Sequence, residues 1–155
     1  SDHHETNDLV AQKTVAALKH GLTPVVCVGE SAEDRETVGS AKVPVEQLEV
    51  VLQVIPSDAE YVVAYEPVWA IGSGTPATAD EAEEVCAALR EAITRSHGSE
   101  RAEATRILYG GSVKSTNIAG FMKRPNIDGA LVGGASVDVE EFSAIVRFPS
   151  HVTLD

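Results

Sequence analysis

The chain has 155 residues, 43% of them hydrophobic, enough for one globular domain with a sizeable core and too few to suggest two. Its 12 Lys+Arg against 24 Asp+Glu leave a formal net charge of -12, which repels phosphate backbones and anionic lipid and argues against nucleic acid and membrane as partners. No apolar run approaches the roughly 20 residues that span a bilayer, and the opening residues do not read as a basic-then-apolar leader, so a cytoplasmic protein is expected.

The first eight residues are polar, and His3, His4 and Glu5 form a cluster without a second ligand group at zinc-like spacing, so no metal is assigned to it. Thr6 is placed to cap a helix whose apolar positions Leu9, Val10, Ala16, Ala17 and Leu18 recur at helical spacing, with Gly21 as its stop. Residues 23–28 (TPVVCV) read as a buried strand and residues 31–41 as a charged connector. Pro44 sits where a first-turn proline would start a helix running to about Ile55. Residues 61–66 form the second strand and residues 78–96 a helix that opens with a Thr78/Glu81 capping box. Residues 97–104 read as a polar connector and 105–109 as the third strand, after which Ser115 or Thr116 caps a short helix ending at Met122. The fourth strand is 129–132, the last helix starts at an Asp138/Glu141 capping pair, and residues 149–155 are a frayed tail. Cys27 and Cys86 fall in an apolar strand and an amphipathic helix, which suits reduced, buried thiols better than a disulfide.

Strands apolar on both faces that alternate with helices argue a parallel sheet with helices packed outside it, hence an α/β fold in one domain spanning residues 1–155. In such folds ligands lie at the carboxyl ends of the strands. The four strands deliver Gly29 and Glu30, then Glu66, then Gly110, Gly111 and Ser112, then Gly133 and Gly134. Pro67 has no amide hydrogen and holds its predecessor extended, so the second strand stops at Glu66 and presents its carboxylate there. Residues 67–77 follow as a stiff start and a glycine-rich tip, a flap. Paired glycines ahead of helices let an anion approach bare amides at the positive end of a helix dipole; taken singly, each pair could equally be a tight turn, and Glu66 an incidental loop carboxylate. Together they suggest a small phosphorylated substrate and proton abstraction next to a carbonyl by Glu66.

AYEPVWAIGSG, YGGSV and LVGGAS, in this order and at these intervals, resemble the sixth, seventh and eighth strand-loop segments of the triosephosphate isomerase family, and VVCVGE resembles its fifth. The resemblance implies the TIM (β/α)8 barrel family, here a partial barrel of four parallel strands with outer helices, the carboxyl-terminal half of the ring. It implies that Glu66 is the base, that Gly72, Ser112, Gly133 and Gly134 offer phosphate-binding amides, and that the flap from Pro67 to Ala77 closes over substrate. Trp69 would pack near Glu30 when the flap is open; Tyr109 and Ser112 would reach Ala77 and Gly74 when it is closed. The implied reaction interconverts dihydroxyacetone phosphate and glyceraldehyde 3-phosphate through an enediolate, with no cofactor and no metal. Pro76 stands where the family usually has a lysine-containing hinge and is expected to stiffen it. The family's asparagine and lysine of the first strand-loop and histidine of the fourth have no counterpart here: His3, His4, His20, His97 and His151 all fall elsewhere. The chain alone is therefore expected to be nearly inactive and, with two unpaired sheet edges, to self-associate, whereas the parent enzyme would be a homodimer. A noncatalytic phosphate-binding half-barrel or assembly module, and a different phosphate-binding β/α enzyme, are the alternatives.

Overall fold

The computed structural model describes residues 5–71 and 76–151. Its helices and strands follow as α1 (Asn7–Lys19), β1 (Val25–Val28), α2 (Ala32–Val38), α3 (Lys42–Leu52), β2 (Val62–Tyr65), α4 (Ala79–His97), α5 (Ser99–Ala104), β3 (Ile107–Tyr109), α6 (Ile118–Met122), β4 (Gly129–Ala130) and α7 (Val139–Val146). The strands pair in sequence order, β1-β2-β3-β4, and every pairing is parallel. The architecture is a partial TIM barrel: four staves in sequence order with helices around them.

Side chains alternate across a strand, so the register sorts them into two layers. Val26 and Val28 of β1 stand beside Val63 and Tyr65 of β2, and these beside Ile107 and Tyr109 of β3. All six are buried, and they pack with Leu48 and Val51 of α3 and Val85 and Leu89 of α4 into one core. The other layer carries Val25, Cys27, Val62, Ala64 and Leu108. The expectation of strands buried on both faces holds for Val63, Ala64 and Tyr65 of β2 but fails for β1, which alternates exposed and buried: Val25 is 47% exposed and Cys27 is exposed.

Several local expectations need correction for reasons of hydrogen bonding. The charged connector at 31–41 contains α2, because Ser31 and Asp34 form a reciprocal capping box. The polar connector at 97–104 contains α5, which starts when Gly98, at φ +89°, breaks α4. Neither Ser115 nor Thr116 caps α6: its N-cap is Asn117, and Ser115 instead donates its amide and hydroxyl to Glu141 of α7 at 2.7 and 3.0 Å. Helix α1 begins after Thr6 and stops before Gly21, at φ +70°, as expected, but its inward residues are Ala11 and Thr14, with Leu9 and Ala16 exposed. Pro44 lies in the first turn of α3, which ends at Leu52, short of Ile55. Part of the expected frayed tail is a 3-10 turn at Phe148–His151.

Candidate functional site

Glu66 follows the last residue of β2 and is half-buried at the carboxyl end of the sheet. Its amide donates to Val28 O at 2.8 Å, and two residues on the Val68 amide donates to Glu30 O at 3.1 Å, so the chain leaving β2 stays stitched to the end of β1. The neighbouring glycines exist for this residue. A Cβ on Gly29 would lie 1.8 Å from the Glu66 carbonyl oxygen, and one on Gly110 would lie 2.6 Å from Glu66 Cγ. Gln47 of α3 fixes Gly29 from the other side, its Oε1 accepting from the Gly29 amide at 2.8 Å and its Nε2 donating to the Gly29 carbonyl at 3.1 Å. Sequence reading missed Gln47, since nothing in the pattern of an amphipathic helix marks which polar residue turns toward a strand end. On the inner face, packing around Cys27 and the carboxylate of Glu66 beside it push that thiol up to about 12.

The paired glycines therefore differ in purpose. Gly110 makes room for Glu66, and Gly111 for the Tyr109 hydroxyl, which would stand 2.1 Å from an added Cβ. Gly133 and Gly134 face nothing within 4 Å and are exposed. They line a cleft of about 630 Å³ together with Ser112, Lys114, Ser115, Asp138 and Glu141. Of the expected anion-binding residues, the structure thus brings together Ser112, Gly133 and Gly134; Gly72, and Gly74 of the flap, lie outside the described residues. Glu66 does not line this cleft. It lines a different one of about 450 Å³ with Cys27, Gly29 and Gln47.

Beyond Glu66, Pro67 is followed by a 3-10 turn, Val68–Ala70, from which Trp69 reaches back to Glu30. Glu30 is fully buried, and its Oε1 accepts from Trp69 Nε1 at 2.8 Å, Tyr65 Oη at 3.0 Å and Arg35 Nη1 at 3.3 Å. Burial first, then the Glu30 charge, raises the Tyr65 phenol well above its usual range. Arg35 also lies 4.8 Å over the Trp69 ring and donates to Glu81 Oε1 at 2.9 Å, so one guanidinium of α2 links the Val68–Ala70 turn to the first turn of α4. Arg35 too escaped the sequence reading, because α2 did. The Ser112 hydroxyl donates to Ala70 O at 3.3 Å, tying the glycine cleft to the Val68–Ala70 turn. Tyr109 Oη is buried without a hydrogen-bond partner among the described residues; burial pushes it up to about 12, and the Ala77 backbone lies near enough to oppose that rise without completing a bond. Glu5 pairs with Lys13, and His3 and His4 lie outside the described residues. Among the described residues no helix is long and apolar enough to cross a membrane.

A family model described as triosephosphate isomerase matches residues 1–149. The chain belongs to the triosephosphate isomerase family. It is similar to the triosephosphate isomerase of Leifsonia xyli subsp. xyli, 61% identical over 150 residues that cover 97% of this chain and 58% of that protein. The triosephosphate isomerase of Streptomyces avermitilis is 51% identical over 148 residues (94% and 57%), and that of Coxiella burnetii strain Dugway 52% identical over 146 residues (92% and 57%). The chain spans little more than half the length of these triosephosphate isomerases.

Proposed function

We propose that this chain supplies the base and the phosphate cradle of an aldose-ketose isomerase that interconverts dihydroxyacetone phosphate and glyceraldehyde 3-phosphate. The observation that carries it is the Gly110 turn: one short segment holds the Glu66 arm on one side and leads into Ser112 of the open glycine cleft on the other. A three-carbon phosphate whose phosphate group sits against Ser112, Gly133 and Gly134 would have to reach across that turn to present its carbons to Glu66. The carboxylate then takes a proton from the carbon beside the carbonyl and returns it to the neighbouring carbon, with an enediolate between. The flap from Pro67 to Ala77, anchored through Trp69 and Glu30, would exclude water, with Ala77 and Gly74 latching to Tyr109 and Ser112 on closure.

The oxyanion of the enediolate needs donors, and no lysine or histidine lines the Glu66 cleft among the described residues. Each missing donor costs on the order of 100- to 1000-fold in rate. Those donors are proposed to come from the strands that complete the barrel, so that residues 1–155 are the carboxyl-terminal half of a cytoplasmic, dimeric enzyme and are nearly inactive alone. The test is turnover of dihydroxyacetone phosphate by the chain mixed with the part of the Leifsonia xyli relative that it does not match. Activity that appears in the mixture and vanishes with Glu66→Gln is the expected result.

The separation of Glu66 from the anion cleft favours one other reading, a phosphate-binding half-barrel without catalysis. Turnover that survives Glu66→Gln would remove the base from the mechanism, and phosphate binding with no turnover in any mixture would establish the noncatalytic module.

A further inference from the structure

The cleft that holds Ser112, Gly133 and Gly134 is lined by three charged side chains, Lys114, Asp138 and Glu141. The two carboxylates are engaged within the fold: Glu141 accepts from the Ser115 amide and hydroxyl, and Asp138 Oδ1 accepts from the Glu141 amide at 2.9 Å. Lys114 differs. Its side chain is exposed, and among the described residues its ammonium has no hydrogen bond or ion pair. Its backbone, by contrast, is held firmly. The Asn117 side chain accepts from the Lys114 amide at 2.8 Å and donates to the Ser112 carbonyl at 3.0 Å, while the Lys114 carbonyl accepts from the Asn117 and Ile118 amides. One amide side chain thus sets Lys114 in fixed relation to Ser112.

We infer that Lys114 is a phosphate-binding residue: its ammonium enters the cleft as the cationic ligand of the dianion that the amides of Ser112, Gly133 and Gly134 cradle. This rests on the phosphate reading of the cleft. In a chain of net charge -12, with two carboxylates on the cleft wall, neutral amides alone meet a dianion against an unfavourable field, and one mobile cation on a fixed stem offsets it where the ligand sits. The contribution should be modest and salt-sensitive, because the ammonium is solvated before it binds.

The experiment is a titration of the 155-residue chain with inorganic phosphate, followed through the amide resonances of Ser112, Gly133 and Gly134. Binding should weaken about three- to ten-fold in Lys114→Ala, weaken further in Lys114→Glu and return in Lys114→Arg, with the salt dependence reduced in the alanine variant. Lys123→Ala removes the same charge from an exposed position outside the cleft and should leave binding unchanged. If the three amides respond but Lys114→Ala binds as well as the parent, or Lys123→Ala weakens binding equally, the role of Lys114 is overturned while the cleft stands. If the three amides do not respond in the parent, the phosphate reading itself falls and Lys114 with it.

Discussion

Glu66, the proposed base, and Cys27 stand so close that each shapes the other's chemistry. Cys27 lies on the inner layer of β1 and lines the same cleft as Glu66, whose charge helps to push its thiol up to about 12. Alkylation requires thiolate, so although Cys27 is exposed it should react slowly at neutral pH, yet faster than Cys86, which is buried in α4 and likewise raised to about 12. Glu66→Gln removes a negative charge beside the sulfur, lowers the thiol pKa and should accelerate labelling of Cys27 several-fold while leaving Cys86 as it was. Peptide mapping after timed iodoacetamide exposure checks this; equal Cys27 rates in parent and variant would mean that the two groups do not feel each other. Glu66 itself was legible because a proline follows it. The need for Gly29 and Gly110 was legible only as glycine, since the atom that fills the space beside each belongs to Glu66, 37 and 44 positions away in the sequence.

Among the elements, α4 shows what short-range signals decide. Thr78 and Glu81 close a capping box, the Thr78 amide donating to Glu81 Oε2 at 2.8 Å and the Glu81 amide to Thr78 Oγ1 at 3.2 Å. The hydrogen bonds from Thr78, with a smaller contribution from Arg35, hold the Glu81 carboxyl below its ordinary value of 4.5. A carboxyl whose folded pKa is depressed stabilises fully above its unfolded value, and that stabilisation disappears as pH falls through the folded one. Glu81→Gln keeps the cap but loses the charge, so it should cost less than about 1 kcal/mol at neutral pH, the group being over a third exposed, and the gap should close in acid. Urea midpoints of the two proteins measured across the acid range test this, and a gap that stays constant with pH counts against it. The same kind of box at Ser31 and Asp34 was present in the sequence but hidden by the density of charge around it, and so α2 was read as a connector.

For the molecule as a whole, the decisive feature is a four-stranded parallel sheet whose order leaves β1 and β4 at its edges among the described residues. Val25 of β1 and Leu131 just past β4 are 47% and 38% exposed, and β1 is an edge strand of the described sheet. Such edges pair with whatever strand is available. The 155-residue chain by itself should therefore self-associate, and Val25→Lys, which puts a charge on the β1 edge, should reduce association. Sedimentation at several concentrations decides it; a monodisperse parent with a cooperative thermal transition would contradict the expectation. The net charge of -12 works against association, so raising salt should promote it.

Residues close together in sequence determined the parts that local chemistry can decide: the order of the four strands and of the longer helices between them, the stop at Pro67 that leaves Glu66 at a strand end, the Thr78 cap, and the glycines 133 and 134 that stay open. Only the tertiary structure decided which glycine pair faces solvent and which is filled by a neighbour, that Glu66 and the Gly133–Gly134 turn line two different clefts, that Gln47 holds Gly29, and that Arg35 ties Glu30 to Glu81. The reason is physical. Capping and proline geometry act within a few residues along the chain, whereas a close approach or a shared hydrogen bond depends on how parallel strands tens of residues apart come into register.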